Sequence, residues 1–297
     1  MLLVLPLLLG GGCSGVGARR GLAGDLETAA RAARCKALSE QAQAAIDRGE
    51  LEQARVDLLT LSNLTPTSAE ALYRLGTVLK LQGRWPEAET SFRSALKRDP
   101  DYALAMVGLG EVEAVRGDSE SALKHFESAI ELAPFQPSAH YAMGRLLERM
   151  GRANSALAEY FRALENDPNN PDVSLRIAMI QLARDEPDQA LSRLDRVLEQ
   201  APGNALARDV RGLANLRVGL ASRAVADFQA FLERKPNQPE GLYHLAVALE
   251  RAGKPADARS AATQALRLAP DLPGLRGLAE RLALAPPAAN PRPAQPQ

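Results

Sequence analysis

The sequence predicts an all-α fold, a solenoid of about seven 34-residue helix-turn-helix units closed by a C-terminal capping helix. Three periodic observations carry that expectation. Prolines stand at Pro66, Pro100, Pro134, Pro168, Pro202, Pro236 and Pro270, each 34 residues after the last. Alanines recur in the same phase at Ala54, Ala88, Ala122, Ala156, Ala190, Ala224 and Ala258, and glycines at Gly49, Gly83, Gly117, Gly151, Gly219 and Gly253. Three residue types held in phase without an insertion describe one supersecondary unit copied along the chain. The composition agrees, being 46% hydrophobic and only 4% aromatic, with Ala, Leu, Arg and Glu as the prominent helix formers. Length alone, 297 residues, suggests about two globular domains. The period overrides that prior, because stacked repeats bury their core against neighbours and need not divide.

In chain order, Met1 to Leu9 is almost entirely Leu and Val and runs into Gly10-Gly11-Gly12-Cys13-Ser14. Such a segment is too short to span a bilayer and reads as the apolar part of a secretory signal over residues 1–12. Small residues directly before a cysteine resemble a bacterial lipoprotein signal, which implies lipid attachment at Cys13. A plain cleaved signal and an incidental hydrophobic start are the alternatives. Residues 13–24 are expected as a linker, and Asp25 as the N-cap of a helical extension over 25–34 that continues through Cys35 and stops near Gly49. Seven repeats follow at 35–68, 69–102, 103–136, 137–170, 171–204, 205–238 and 239–272. After Pro270, Leu275, Leu278, Ala279 and Leu282 share one face, the pattern of a capping helix over 273–284 that shields the last repeat. Residues 285–297 hold five prolines and one charge, which fits a disordered tail.

Unit 69–102 shows why each signature residue stands where it does. Leu72, Leu75, Gly76 and Leu79 make one apolar stripe on the first helix, and Gly83 ends it. The second helix opens at Arg84-Trp85-Pro86, where a proline costs no hydrogen bond. Ala88, Phe92 and Ala95 face inward; the small residues let the paired helices approach and Phe92 fills the space between them. Pro100 then stops the helix through its effect on Asp99.

This order of Leu-Gly, Gly, Ala, Phe/Tyr, Ala and Pro resembles the tetratricopeptide repeat (TPR) consensus over residues 35–272. The resemblance implies a right-handed α-solenoid. Units 69–102, 103–136 and 137–170 match best, through Leu75-Gly76, Leu109-Gly110 and Met143-Gly144 with Phe92, Phe126 and Tyr160. Unit 171–204 departs most, with Ala178 and Asp185 at glycine positions and Leu194 and Val197 at the Phe and Ala positions. In unit 205–238 a bulky Phe231 replaces the small residue. Ala246 and Ala262 of the next unit are expected to offset it, as a local exchange of volume.

Little in the chain points to catalysis. His125, His140 and His244 occupy different positions in their repeats, and Cys13 and Cys35 are too few for zinc-type spacing. No Walker-type loop is present, since the glycines punctuate helices. The 36 basic residues balance the 36 acidic ones, and no basic run offers a nucleic-acid surface. The reading is of a non-enzyme with no cofactor, no metal, no small-molecule substrate and no nucleic-acid partner. Cys35, left alone if Cys13 is acylated, reads as a small core filler.

By resemblance to TPR proteins, the first helices line a concave groove, with the fifth and ninth residues of each unit directed into it. The candidate groove residues are Tyr73, Thr77, Val107, Glu111, Tyr141, Arg145, Leu175 and Met179, with Ser39, Gln43, Asp209, Leu213, Tyr243 and Val247 at the same positions of the outer units. The Lys/Asn pattern by which some TPR domains clamp a C-terminal carboxylate is missing at these places, so the expected groove is apolar and aromatic. About half of these side chains are expected to pack between adjacent first helices instead. The expected function is a scaffold for a protein or peptide partner. Two settings compete: a lipoprotein of the bacterial cell envelope, periplasm-facing and assisting a pilus, secretion or cell-wall complex, or a soluble cytoplasmic adaptor or co-chaperone.

Overall fold

The computed structural model describes residues 15–284; the expected signal segment 1–12, Cys13 and the tail 285–297 lie outside them. The described residues form fifteen α-helices and no strand. They pair as α1 (Gly15–Asp47) with α2 (Leu51–Leu64), α3 (Ala69–Leu81) with α4 (Trp85–Arg98), α5 (Ala103–Arg116) with α6 (Ser119–Leu132) and α7 (Pro137–Arg149) with α8 (Ala153–Asn166). There follow α9 (Pro171–Ala183) with α10 (Pro187–Gln200), α11 (Ala205–Arg217) with α12 (Ala221–Arg234), α13 (Pro239–Arg251) with α14 (Pro255–Leu268), and α15 (Leu275–Arg281) at the end. Every first helix after α1 starts on the opening residue of its unit. The second helices start at Leu51, Trp85, Ser119, Ala153, Pro187, Ala221 and Pro255, a step of 34 residues each time. The chain divides into two compact units after Ala142, within α7.

Backbone chemistry explains the uniform boundaries. Second helices end on a residue whose next neighbour is the periodic proline: Asp99, for example, leaves the helix at φ −137° and ψ 97°, as residues before proline must. The turns inside units need one residue in the left-handed region, supplied by Gly49, Gly83, Gly117, Gly151, Gly219 and Gly253. Asp185 takes that place in the fifth unit, at φ 61°. Aspartate tolerates this conformation better than most residues but still bears strain. Its ion pair with Arg217, at 3.0 Å, is largely exposed and offsets little. Asp185→Gly is therefore expected to stabilise the chain by about 0.5–1 kcal/mol, seen as a higher urea midpoint. A lower midpoint would show that the side chain contributes more than its conformation costs.

Inside each unit the eighth and twenty-fourth residues share one space. Gly76 faces Phe92, Gly110 faces Phe126, Gly144 faces Tyr160 and Gly212 faces Phe228, and a Cβ added at any of these glycines would lie 2.6–2.7 Å from the ring. Where the twenty-fourth residue is smaller the eighth is alanine, as in Ala42 with Leu58, Ala178 with Leu194 and Ala246 with Ala262, all buried. Two of the four substitutions that make unit 171–204 look divergent, Ala178 and Leu194, are thus one compensated exchange of volume.

A second exchange lies between units. Phe231 is buried and its ring occupies the space that a side chain at Gly241 would need. Gly241, rather than Ala246 or Ala262, offsets Phe231. Ala246 and Ala262 belong to the seventh unit's own helix pair. Gly241→Ala is expected to cost about 1–3 kcal/mol by overpacking, and in a Phe231→Ala background the same change should cost far less, because the seam then repeats the Ala95 and Ala105 arrangement. A double-mutant cycle in urea reads the coupling; strictly additive losses would show that the two residues do not compete for space.

The ends differ from the expectations in one respect. α1 begins at Gly15, so Asp25 lies inside the helix rather than capping it, and residues 15–24 are helix rather than linker. No proline interrupts this stretch, and its Ala, Leu and Arg favour continued helix. Side chains from Glu27 to Arg34 are exposed, and burial starts only at Cys35, which packs against the core of α1 to α4 as a small filler. At the other end Leu275, Leu278 and Leu282 are buried over the last pair. Arg281 holds α15 down through hydrogen bonds to both carboxylate oxygens of Glu250, at 3.0 and 2.9 Å.

Candidate protein-binding faces

In the first compact unit, α1, α3, α5 and the start of α7 carry Ser39, Gln43, Tyr73, Thr77, Val107, Glu111 and Tyr141. Tyr73 is half-buried. Its ring lies 6.1 Å from Phe92 and 5.6 Å, edge-on, from Tyr102, an arrangement that fixes an aromatic side chain without hiding it. Burial holds its phenol above the ordinary value, an effect that the nearby Thr77 hydroxyl reduces and the Glu111 carboxylate reinforces. Thr77 donates to the Tyr73 carbonyl at 3.1 Å. Glu111 pairs with Lys80 across α3 and α5. Arg74 reaches back to α1, donating to Ser39 Oγ at 2.6 Å and to Gln43 Oε1 at 3.3 Å. Tyr141 is half-buried.

Val107, at 6% exposure, departs from the expected lining: it is packing between helices and has no surface to offer a ligand. Leu175 in the second compact unit is the same, at 5%. Met179 is half-buried and Arg145 exposed. Further along this unit, Asp209 pairs with His244 at 3.0 Å, and Gly274 makes room for the Tyr243 hydroxyl, which a Cβ there would meet at 2.5 Å. Periodicity alone did not single out Lys80, Arg74 or Tyr102. Tyr102 closes its unit two residues after Pro100, beyond either helical stripe.

Polar pairs occupy the seam between paired helices. His125 Nδ1 lies 2.8 Å from Glu113 Oε2 and 3.0 Å from the Ser121 carbonyl, so this nitrogen carries a proton shared between two acceptors. Asp227, 2% exposed, accepts from Arg211 Nη2 at 2.6 Å and from Asn215 Nδ2 at 3.0 Å. Arg211 also reaches Asp195 at 2.8 Å. The Asp227 hydrogen bonds, with those of Asp195, hold its guanidinium above the ordinary value despite burial. His140 bonds the Pro134 carbonyl at 3.1 Å, so each histidine has its own separate partner. Among the described residues no group of three His, Cys, Asp or Glu could hold a metal ion, and no helix is long and apolar enough to cross a membrane.

Residues 39–93, 73–137 and 210–273 match one tetratricopeptide repeat profile, and residues 147–214 match a second. No curated protein matches the sequence. Among solved structures the chain is similar to one in the APC/C hetero-tetramer Cut9–Hcn1, at TM-score 0.68 and 15% identity over 82% of this chain and 48% of that one. The chain thus spans about half the length of that relative. It is similar to PilF of Pseudomonas aeruginosa, at TM-score 0.67 and 17% identity over 72% of this chain and 97% of that one. YrrB, described as a TPR protein with an unusual peptide-binding site, aligns at TM-score 0.56 and 21% identity over 64% of this chain and 97% of that one. Stacked repeats of this kind are protein-interaction scaffolds that work through the surfaces their helices present. The chain belongs to the tetratricopeptide repeat family.

Proposed function

We propose that this chain is a non-catalytic scaffold that takes a peptide segment or partner protein on its first-helix faces, and that it does so as a lipid-anchored protein of the bacterial cell envelope. The observation that carries the binding reading is Tyr73: a ring held by Phe92 and Tyr102, half-exposed, beside the Thr77 hydroxyl and the Glu111 and Lys80 charges. Fixed amphipathic aromatics flanked by charges are what interface anchors consist of. Glu111 and Lys80 then set the direction of the bound segment through charge complementarity. The anchor rests on Gly10-Gly11-Gly12-Cys13 behind an apolar run. The likeness in fold to PilF supports assembly of a pilus or secretion complex as its setting. The alternative is a soluble cytoplasmic adaptor or co-chaperone.

Two measurements test the proposal. Crosslinking capture from the native host compares wild type with Tyr73→Ala/Tyr141→Ala, which is expected to weaken partner retention by more than about 1 kcal/mol while the helical signal persists. Tyr160→Phe, which loses only a buried hydroxyl bonded to Glu148, serves as a control off this face that should retain the partner. Equal retention by the double variant would move the site off this face. Mass spectrometry of the mature N-terminus should show acylated Cys13; an intact Met1 would establish the adaptor reading.

A further inference from the structure

The fifth unit carries a cleft in which two buried polar atoms find no hydrogen-bond partner among the described residues. Gln181 of α9 lines it with Asp188, Gln189, Ser192, Arg193 and Arg196 of α10. Gln181 is only 5% exposed; its Nε2 donates to Gln189 Oε1 at 3.0 Å, which leaves its own Oε1 buried without a partner. Arg193 Nε is also buried and unbonded. The Arg193 guanidinium lies over the Phe161 ring of α8, 5.5 Å from its centroid, and pairs with no carboxylate among the described residues. Burial, then the charge of Arg196, pulls its pKa below the ordinary arginine value.

Comparison among the repeats gives these vacancies their meaning. The eleventh and twenty-third residues of the third unit are Glu113 and His125, which bond each other at 2.8 Å. In the sixth they are Asn215 and Asp227, bonded at 3.0 Å. The fifth unit has Gln181 and Arg193 at the same places, and no anion answers the arginine. A buried donor and a buried acceptor left open side by side invite a ligand that supplies both complements. A phosphate monoester dianion offers acceptors alone and would leave Gln181 Oε1 unanswered. A peptide residue with a carboxylate brings a backbone N–H beside its acceptor.

We propose that this cleft receives an acidic side chain of a protein partner, the carboxylate accepting from Arg193 and Arg196 while an adjacent backbone N–H donates to Gln181 Oε1. The site combines Gln181 of α9 with residues of α10 and shares no residue with the first-helix faces described above, so the two readings fail independently.

The test uses the full chain with labelled arginine side chains and two probes, acetyl-glutamate N-methylamide and its glutamine counterpart, followed by nuclear magnetic resonance at Arg193 Nε–H. The glutamate compound is expected to shift that signal saturably and at least about tenfold more tightly than the glutamine compound, the ratio expected of a charge-assisted hydrogen bond. Methyl phosphate as its dianion should bind at least about tenfold more weakly than the glutamate compound, having only acceptors and no donor for Gln181. Arg196→Gln, on the exposed side of α10, should weaken the glutamate compound about tenfold, whereas Tyr73→Ala/Tyr141→Ala should not change it. Equal binding of the glutamine compound, tighter binding of methyl phosphate, an unaffected Arg196→Gln variant or no saturable shift at Arg193 would each overturn the proposal.

Discussion

Phe92→Ala is expected to destabilise the chain by about 3–5 kcal/mol, the range for truncating a fully buried aromatic. Phe92 is 0% exposed, and it stands between two glycines, Gly76 of its own unit and Gly108 of the next, each so close that a Cβ would lie 2.6 Å from the ring. Glycines have no side chains to rotate into the vacated space, so the cavity collapses poorly and the loss should fall toward the upper end of that range. Tyr73 loses its ring partner at the same time. In a repeat array the damage passes to neighbours through shared interfaces, so helical circular dichroism should fall at lower urea concentration. A loss below about 1.5 kcal/mol would mean that the pocket refills by moving α3 toward α5.

Asp227→Ala is the second large effect, expected at about 2–4 kcal/mol. Removing one partner of a buried ion pair typically costs about 3–5 kcal/mol, and the discount reflects Arg211, whose side chain is 24% exposed and keeps Asp195. The substitution leaves Asn215 without its acceptor as well. Replacing the set with apolar residues is a different experiment: Arg211→Leu with Asp227→Ala and Asn215→Leu should recover most of the loss, since other units use Leu75 and Leu109 where this one has Arg211. Urea midpoints of the single and triple variants decide it. A triple variant no more stable than Asp227→Ala would show that the polar network contributes net stability of its own.

The helical frame was legible because Pro, Gly and Ala punctuate it at fixed places, and the second helices start where those residues put them. Compensation within the frame was less visible. Ala178 and Leu194 each depart from the repeat pattern, and only their contact shows that they belong together. The start of α1 escaped the reading because Asp25 offers an N-cap, while Gly15, Gly17, Gly21 and Gly24 before it read as linker. For the binding face, the repeat position indicated which side of a helix a residue occupies but not how far a neighbour covers it. Tyr73 keeps a surface and Val107 does not, although both are fifth residues. Arg211 and Asp227 stand sixteen residues apart on different helices, a spacing that no periodic rule pairs. The open groups of Gln181 and Arg193 depend on partners that are missing, which a sequence cannot display.

The seam between Phe231 and Gly241 bears on how such an array can be rearranged by recombination. Units in one phase can in principle be duplicated, lost or reordered by unequal crossing-over without breaking a helix. That freedom holds at the junction where Ala95 meets Ala105, because either neighbour would find alanine on a duplicated copy. The sixth unit set before a copy with Ala71 or Ala105 at its third position would drive its phenyl ring into a methyl group. The seventh set behind Ala95 would leave Gly241 facing empty space. These two units can therefore be inherited only as a linked pair, and changes in repeat number in descendants of this chain should fall upstream of residue 205.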